Sequence, residues 1–422
     1  MMTFIFAIAI ILVTPLSSIL TEYHLLYLNY LDEALVVVFA AANILMILIG
    51  RKAVKCPRVI ALFSMLLLLA FISALYNDVR PIVVLAQVRY IFQFPLIFFI
   101  IASSGMGEKH IRRITSFILS AAVVVAFLTF VEFFWHVQFL PGREAMSSAF
   151  ESRMYSIIGG PVDLAYYLGI SIILGGLYLV NIKRSIYTIG AYLLVVFAVL
   201  SSGSRGAMIT ILLALSYYFM TMKGKMKAQS RRVLYPLMGS VIFVAIIAVG
   251  LVFVPVTVER FRNLLMFDPS ERFSRANYLG EALNLIRLNP LLGVGPGMYG
   301  GPVSVFFNSD VYAKYSLTVP IGTSIDMFWP HFTAELGVFG AAVYGMIFIV
   351  LARLNGRIEG GGDRVAYRNF LSESSRILIF YMLVSGFFYV GLQAQLSAYL
   401  FWMILGLSYR ETELILSEGH RT

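Results

Sequence analysis

Apolar runs about 20 residues long recur through most of this chain, and few folds are compatible with that. Inside hydrocarbon every backbone N–H and C=O needs an internal partner, so only helices and closed barrels can cross a bilayer. The strands of a membrane barrel alternate apolar and polar residues, whereas these runs are continuous. The chain therefore reads as an all-α, polytopic transmembrane helix bundle. Composition agrees: 60% of its 422 residues are hydrophobic and 13% are charged, about half the charged share of a soluble domain.

Spans are expected at 3–20, 33–50, 58–76, 82–103, 112–136, 161–181, 184–201, 206–222, 233–255, 328–352, 374–392 and 394–409. They form one integral membrane domain over residues 1–422. Met1-Met2-Thr3-Phe4 lacks a basic n-region, so no cleavable signal peptide is expected. Twelve spans put both termini on one side. On that same side fall five basic loops, with Arg51, Lys52, Lys55 and Arg58; Lys109, Arg112 and Arg113; Lys183 and Arg184; Lys223 to Arg232; and Arg353 to Arg368. The positive-inside rule makes this face cytoplasmic. It accounts for the net charge of +10 without a nucleic-acid partner. The single cysteine, Cys56, excludes an internal disulfide. His24, His110, His136, His331 and His420 lack metal-ligand spacing, and no metal or cofactor is expected.

The opposite face carries a short hinge around Arg205, a loop at 137–160 and a long segment at 256–327. These three segments hold Arg143, Arg153, Arg205, Arg260, Arg262, Arg272, Arg275 and Arg287, against one lysine, Lys314. Arginine is favoured over lysine where planar, bidentate contact with phosphate or carboxylate is needed. The alternative for any one of them is a lipid-headgroup contact. Arg205 lies in Ser201-Ser202-Gly203-Ser204-Arg205-Gly206-Ala207, between two apolar runs. A guanidinium at that depth calls for an anion, water or a headgroup.

Within the long segment, residues 274–289 have the spacing of an amphipathic helix, with Ser274 as N-cap, Arg275 in the first turn and Pro290 as the stop. An anion at such a helix N-terminus meets free backbone N–H groups. Gly295, Gly297 and Gly300 formally match G-x-G-x-x-G, but no strand precedes them and Pro296 interrupts the turn. A tight turn back to the membrane is expected instead. Asp326, His331 and Glu335 then gather at the mouth of a span. Asp326 is a candidate general base or a helix cap, and His331 a candidate base or an interfacial ring beside Trp329. Arg89 and Arg376 fall inside expected spans, Arg89 either as a substrate contact or as a structural pair.

Three segments in this order resemble the bacterial O-antigen ligase and O-antigen polymerase superfamily: Ser-Gly-Ser-Arg205-Gly-Ala, Arg275 ahead of Asn-Pro290-Leu-Leu-Gly-Val-Gly, and Glu335-Leu-Gly-Val-Phe-Gly340. The resemblance covers roughly residues 190–345. It implies a metal-independent, C-type membrane glycosyltransferase whose donor is an oligosaccharide on undecaprenyl pyrophosphate. It also implies a site facing outward from the bacterial inner membrane. Arg205 and Arg275 match the arginines that hold the pyrophosphate, with Arg272 beside them. Arg153, Arg89, Tyr278 and Glu335 are secondary contacts. Where ligases carry His-Asn, nine residues before the Glu, this chain has Asp326-Met327. Many polysaccharide polymerases carry Asp there. The resemblance therefore favours a polymerase with Asp326 as base and His331 in reserve. It also suggests partners, namely a flippase and a chain-length regulator. The alternatives are a ligase, which moves a finished glycan to a lipid or protein acceptor, and a transporter of lipid-linked sugars. Transporters concentrate polar groups at the midplane and often show internal repeats, and neither is evident here.

Overall fold

A computed structural model of the chain describes residues 2–22, 31–50, 55–137, 139, 154, 156–182, 185–222, 275–318, 325–355 and 362–419. The apolar runs form helices: α1 (Met2–Glu22), α2 (Leu31–Leu48), α3 (Pro57–Tyr76), α4 (Pro81–Ala102), α5 (Glu108–Trp135), α6 (Pro161–Asn181), α7 (Ile186–Ser201) and α8 (Arg205–Met222). After residue 274 come α9 (Arg275–Leu288), α10 (Pro302–Phe306), α11 (Val311–Lys314), α12 (Phe328–Leu354), α13 (Asp363–Ser385) and α14 (Gln395–Gly419). Six of them, α2 to α6 and α12, are long and apolar enough to cross a membrane; the apolar stretches of α1, α7 and α8 are shorter. The chain is a polytopic helical membrane protein.

Local chemistry sets the helix starts. Proline opens α3, α4, α6 and α10, where its missing N–H would have had no helical partner. Ser185 and Thr188 form a reciprocal capping box on α7. The expected span 374–392 is displaced. Its helix, α13, begins at Asp363 and ends at Ser385, and the chain turns through 386–394 before α14. The polar start of α13 is helical because neighbouring helices cover it, leaving Arg368 and Glu373 buried. The expected span 233–255 lies outside the described residues.

Lipid tails are as apolar as leucine, so close packing rather than exclusion of water holds such helices together. Trp402 of α14 is wholly buried, at ring-centroid distances of 6.0 Å from Phe63 of α3, 6.4 Å from Phe98 of α4 and 6.0 Å from Phe348 of α12. Such aromatic contacts contribute about 0.5–1.5 kcal/mol each beyond burial. A second, smaller core joins Tyr278 and Leu285 of α9 to Tyr299, Tyr312 and Ile325. Residues 275–318 therefore form an ordered cap on the bundle.

The cap is held by a break in α12. Gly337 has φ +67°, outside the helical region. The carbonyls released there accept from the glycine-rich segment: Val294 N–H to Ala334 O at 2.9 Å and Gly295 N–H to Glu335 O at 3.0 Å. Val338 N–H donates back to Pro290 O at 2.9 Å. A side chain on Gly337 would collide with the Leu291 carbonyl, and one on Gly293 with the Glu335 carbonyl. Backbone meets backbone at this crossing, so both positions need glycine. The segment expected as a turn is a strap across α12, fastened also by Ser73 Oγ to Leu292 O (2.6 Å) and Asn77 Nδ2 to Gly293 O (3.1 Å).

Candidate functional site

Two polar groupings lie at the capped end of the bundle. The first surrounds Arg205. Ser204 N–H donates to Ser202 Oγ at 3.3 Å, and Met208 N–H donates to Ser204 O at 3.1 Å. The hinge thus ends at Ser204, and Arg205 is the first residue of α8, partly exposed beside two buried serines. Gly206 faces inward. A Cβ there would stand 3.0 Å from the Tyr166 hydroxyl and 3.1 Å from Phe388 Cβ. Tyr166 stacks on Tyr389 at 4.3 Å, and Tyr389 donates its hydroxyl hydrogen to Asp163 in the first turn of α6. The Arg205 turn is therefore bordered by the start of α6 and the 386–394 turn. Met154 N–H donates to Ser201 O at 3.3 Å, which ties the residue after Arg153 to the same hinge. Arg153 itself lies outside the described residues, as do Arg272 and the N-cap residue Ser274.

The second grouping surrounds Asp326. Ile325 N–H donates to Gly300 O at 2.8 Å, and Ile325 and Met327 are buried on either side. Asp326 between them is exposed. Its carboxylate lies close enough to Tyr278 to act on that hydroxyl. Burial first, then the Asp326 charge, raises the Tyr278 pKa above its usual value near 10. Tyr278 stands three residues into α9, whose first residue is Arg275. Asp326 thus lies within electrostatic reach of a side chain on the helix that Arg275 begins.

His331 and Glu335 share one face of α12, directed at Gly301. A Cβ on Gly301 would be 3.9 Å from Glu335 Oε1 and 4.0 Å from His331 Nε2. Both side chains are wholly buried. His331 Nδ1 lies 2.9 Å from Met327 O, which assigns the proton to Nδ1 and leaves Nε2 as an acceptor. Glu335 accepts from Gln87 Nε2 at 2.8 Å and from Tyr299 N–H at 3.2 Å. Arg89 pairs with Glu33 of α2 at 2.6 Å. In these positions Glu335 fastens the strap and Arg89 joins α2 to α4.

The 386–394 turn touches both groupings. Phe388 packs on Gly206, while Gly386 O accepts from Trp329 N–H at 3.0 Å, three residues beyond Asp326. Trp329 Nε1 adds a bond to Leu383 O at 2.8 Å. Sequence reasoning missed this turn because it placed residues up to 392 inside a span. It also missed Asp163, although a carboxylate two residues after Pro161 at a span start was a visible signal.

Fold and site together define a polytopic membrane protein with an arginine-bearing, carboxylate-bearing face at one end of its bundle. Residues 190–345 match the family model described as O-antigen ligase, and that match supports placing the chain in the O-antigen ligase and polymerase superfamily. The matched region contains Arg205, Arg275, Asp326 and Glu335. It supports a ligase- or polymerase-type, glycosyltransferase-like function acting on lipid-linked oligosaccharide, and a place in the inner membrane. No curated protein matches the chain.

Proposed function

We propose that this chain is a polysaccharide polymerase. It moves a glycan from undecaprenyl pyrophosphate to the non-reducing-end sugar of another lipid-linked repeat unit, on the outer face of the inner membrane. The acceptor hydroxyl attacks the anomeric carbon of the donor sugar. The bond from that carbon to the diphosphate oxygen breaks, and its electron pair leaves with undecaprenyl pyrophosphate. The hydroxyl proton passes to Asp326. Arg205, Arg275 and Arg272 hold the diphosphate; fixed guanidinium groups stabilise the leaving group most as its charge grows. Arg153 has a secondary role in this reading, contacting sugar or diphosphate. Both termini are cytoplasmic in this reading, and the whole chain is one membrane domain.

The observation that carries the reading is the placement of Asp326: exposed, pinned by buried neighbours, and within electrostatic reach of Tyr278 on the helix that starts at Arg275. A general base must reach the hydroxyl it deprotonates, and an exposed carboxylate at the mouth satisfies this better than the wholly buried His331. The test is reconstitution of the full chain with purified lipid-linked repeat units alone. A ladder of longer lipid-linked glycans supports the polymerase. Transfer that occurs only after a separate lipid or protein acceptor is added replaces it with the ligase.

A further inference from the structure

At the end of the bundle opposite Arg205, α14 passes the start of α3 and the end of α12. An open cavity of about 400 Å³ lies there, walled by Lys55, Tyr409, Arg410, Thr412, Glu413 and Ser417. It is far larger than one ordered water requires, about 30 Å³ of liquid volume, and falls in the ~300–1,000 Å³ range of small-ligand sites.

The charges in this wall do not cancel. Glu413 is its one carboxylate, and two cations share it: Lys55 Nζ lies 2.7 Å from Oε1 and Arg410 Nη1 3.2 Å from Oε2. The Tyr409 hydroxyl also donates to Oε1, at 3.2 Å. An ammonium has three N–H donors and a guanidinium five. Among the described residues, Glu413 takes one from each, and Met106 O takes Arg410 Nε at 3.1 Å. The Arg410 fork is thereby fixed from two sides, with its side chain 18% exposed. The Thr412 and Ser417 hydroxyls give their hydrogens to Ser408 O and Leu414 O, and Leu354, Leu414 and Leu416 form an apolar border. Net positive charge, a fixed guanidinium and an apolar border together match a phosphate ester attached to something greasy.

We propose that this cavity binds a phosphate ester, its source being the headgroup of an anionic membrane lipid. Basic pockets between membrane helices hold such headgroups, each Lys or Arg contributing about 1 kcal/mol, or about fivefold in occupancy. The site is independent of the proposed transfer reaction at the other end.

The test counts lipids bound to the detergent-solubilised full chain by native mass spectrometry, comparing phosphatidylglycerol with uncharged diacylglycerol. Lys55→Gln and Arg410→Gln should each lower phosphatidylglycerol occupancy about fivefold. Lys109→Gln, the same charge change on an exposed residue outside the cavity, should leave it unaltered. Glu413→Gln should raise occupancy by a similar factor, since the ester then meets two cations with no competing carboxylate; a merely unfolded variant would bind less. Inorganic phosphate that displaces the lipid at millimolar concentration supports the site with a soluble source. Equal occupancy in all variants, or a fall in Glu413→Gln, overturns the proposal.

Discussion

Glu335 on α12 accepts a hydrogen bond from Gln87 Nε2 of α4 at 2.8 Å. The same carboxylate receives the Tyr299 N–H, so one buried group fastens α4, the strap and α12 together. Glu335→Ala strands both donors, and each unmet buried partner costs about 1–3 kcal/mol. The expected outcome is a lower thermal unfolding midpoint in detergent, with activity lost through instability. Glu335→Gln keeps one acceptor oxygen and should fall between wild type and Ala. An Ala variant of unchanged stability that lacks transfer would make Glu335 a substrate contact instead.

Arg205 and Arg275 should be separable from folding. Arg205 is partly exposed at the start of its helix, and Arg275 is the first residue of a helix of the cap. Arg205→Ala and Arg275→Ala should each lower the transfer rate by about 10²–10³, the loss typical of one fixed donor to a developing anion. Arg205→Lys keeps the charge but loses the planar fork, and should recover only part of the rate. Transfer from lipid-linked donor, with membrane insertion as the control, provides the measurement. Full activity in either Ala variant counts against a diphosphate role.

Asp326 and His331 make opposite demands. Asp326 is exposed, so Asp326→Asn should leave stability alone and cut transfer by about 10²–10⁴, the range for a general base. His331 is wholly buried against Phe328, with ring centroids 5.7 Å apart. His331→Ala should cost stability as a cavity does and reduce transfer less. Paired activity and unfolding measurements decide the matter, and the reverse pattern moves the base to His331.

Helix positions were legible because membrane helices satisfy their own backbone and appear as uninterrupted apolar runs. The amphipathic helix expected at 274–289 was legible for the same local reason and is α9. What could not be read was tertiary. Gly337 breaks α12 in the middle of an apolar run, and only the strap lying against it explains why. Tyr389 and Leu392 looked like part of a span because hydropathy does not register that the helix stops at Ser385. The acidic and basic residues at 363–373 read as loop, yet they are helical and partly buried, since neighbouring helices supply their partners. Within the candidate site, Arg205 and Asp326 stood out as charges at span ends and Arg275 as a charge at an expected helix start; Asp163, Tyr166 and the 386–394 turn did not.

Gly206 offers the sharpest steric test of how the Arg205 turn is held. A Cβ at this position meets the Tyr166 hydroxyl at 3.0 Å and Phe388 Cβ at 3.1 Å, both tighter than ordinary contact. Gly206→Ala asks these neighbours to move by a few tenths of an ångström. The gain in helix propensity, about 1 kcal/mol, works the other way, so its net effect on stability should be small. Gly206→Val adds two methyl groups against the same atoms. Overpacking of this kind costs about 1–3 kcal/mol, and here it would push the 386–394 turn away from α8. Transfer should therefore fall in Val far more than in Ala, while Arg205 itself is unchanged. A second substitution, Phe388→Ala, should restore part of the Val loss by opening the space. Failure of that rescue, with both proteins folded, would show that the turn does not position Arg205.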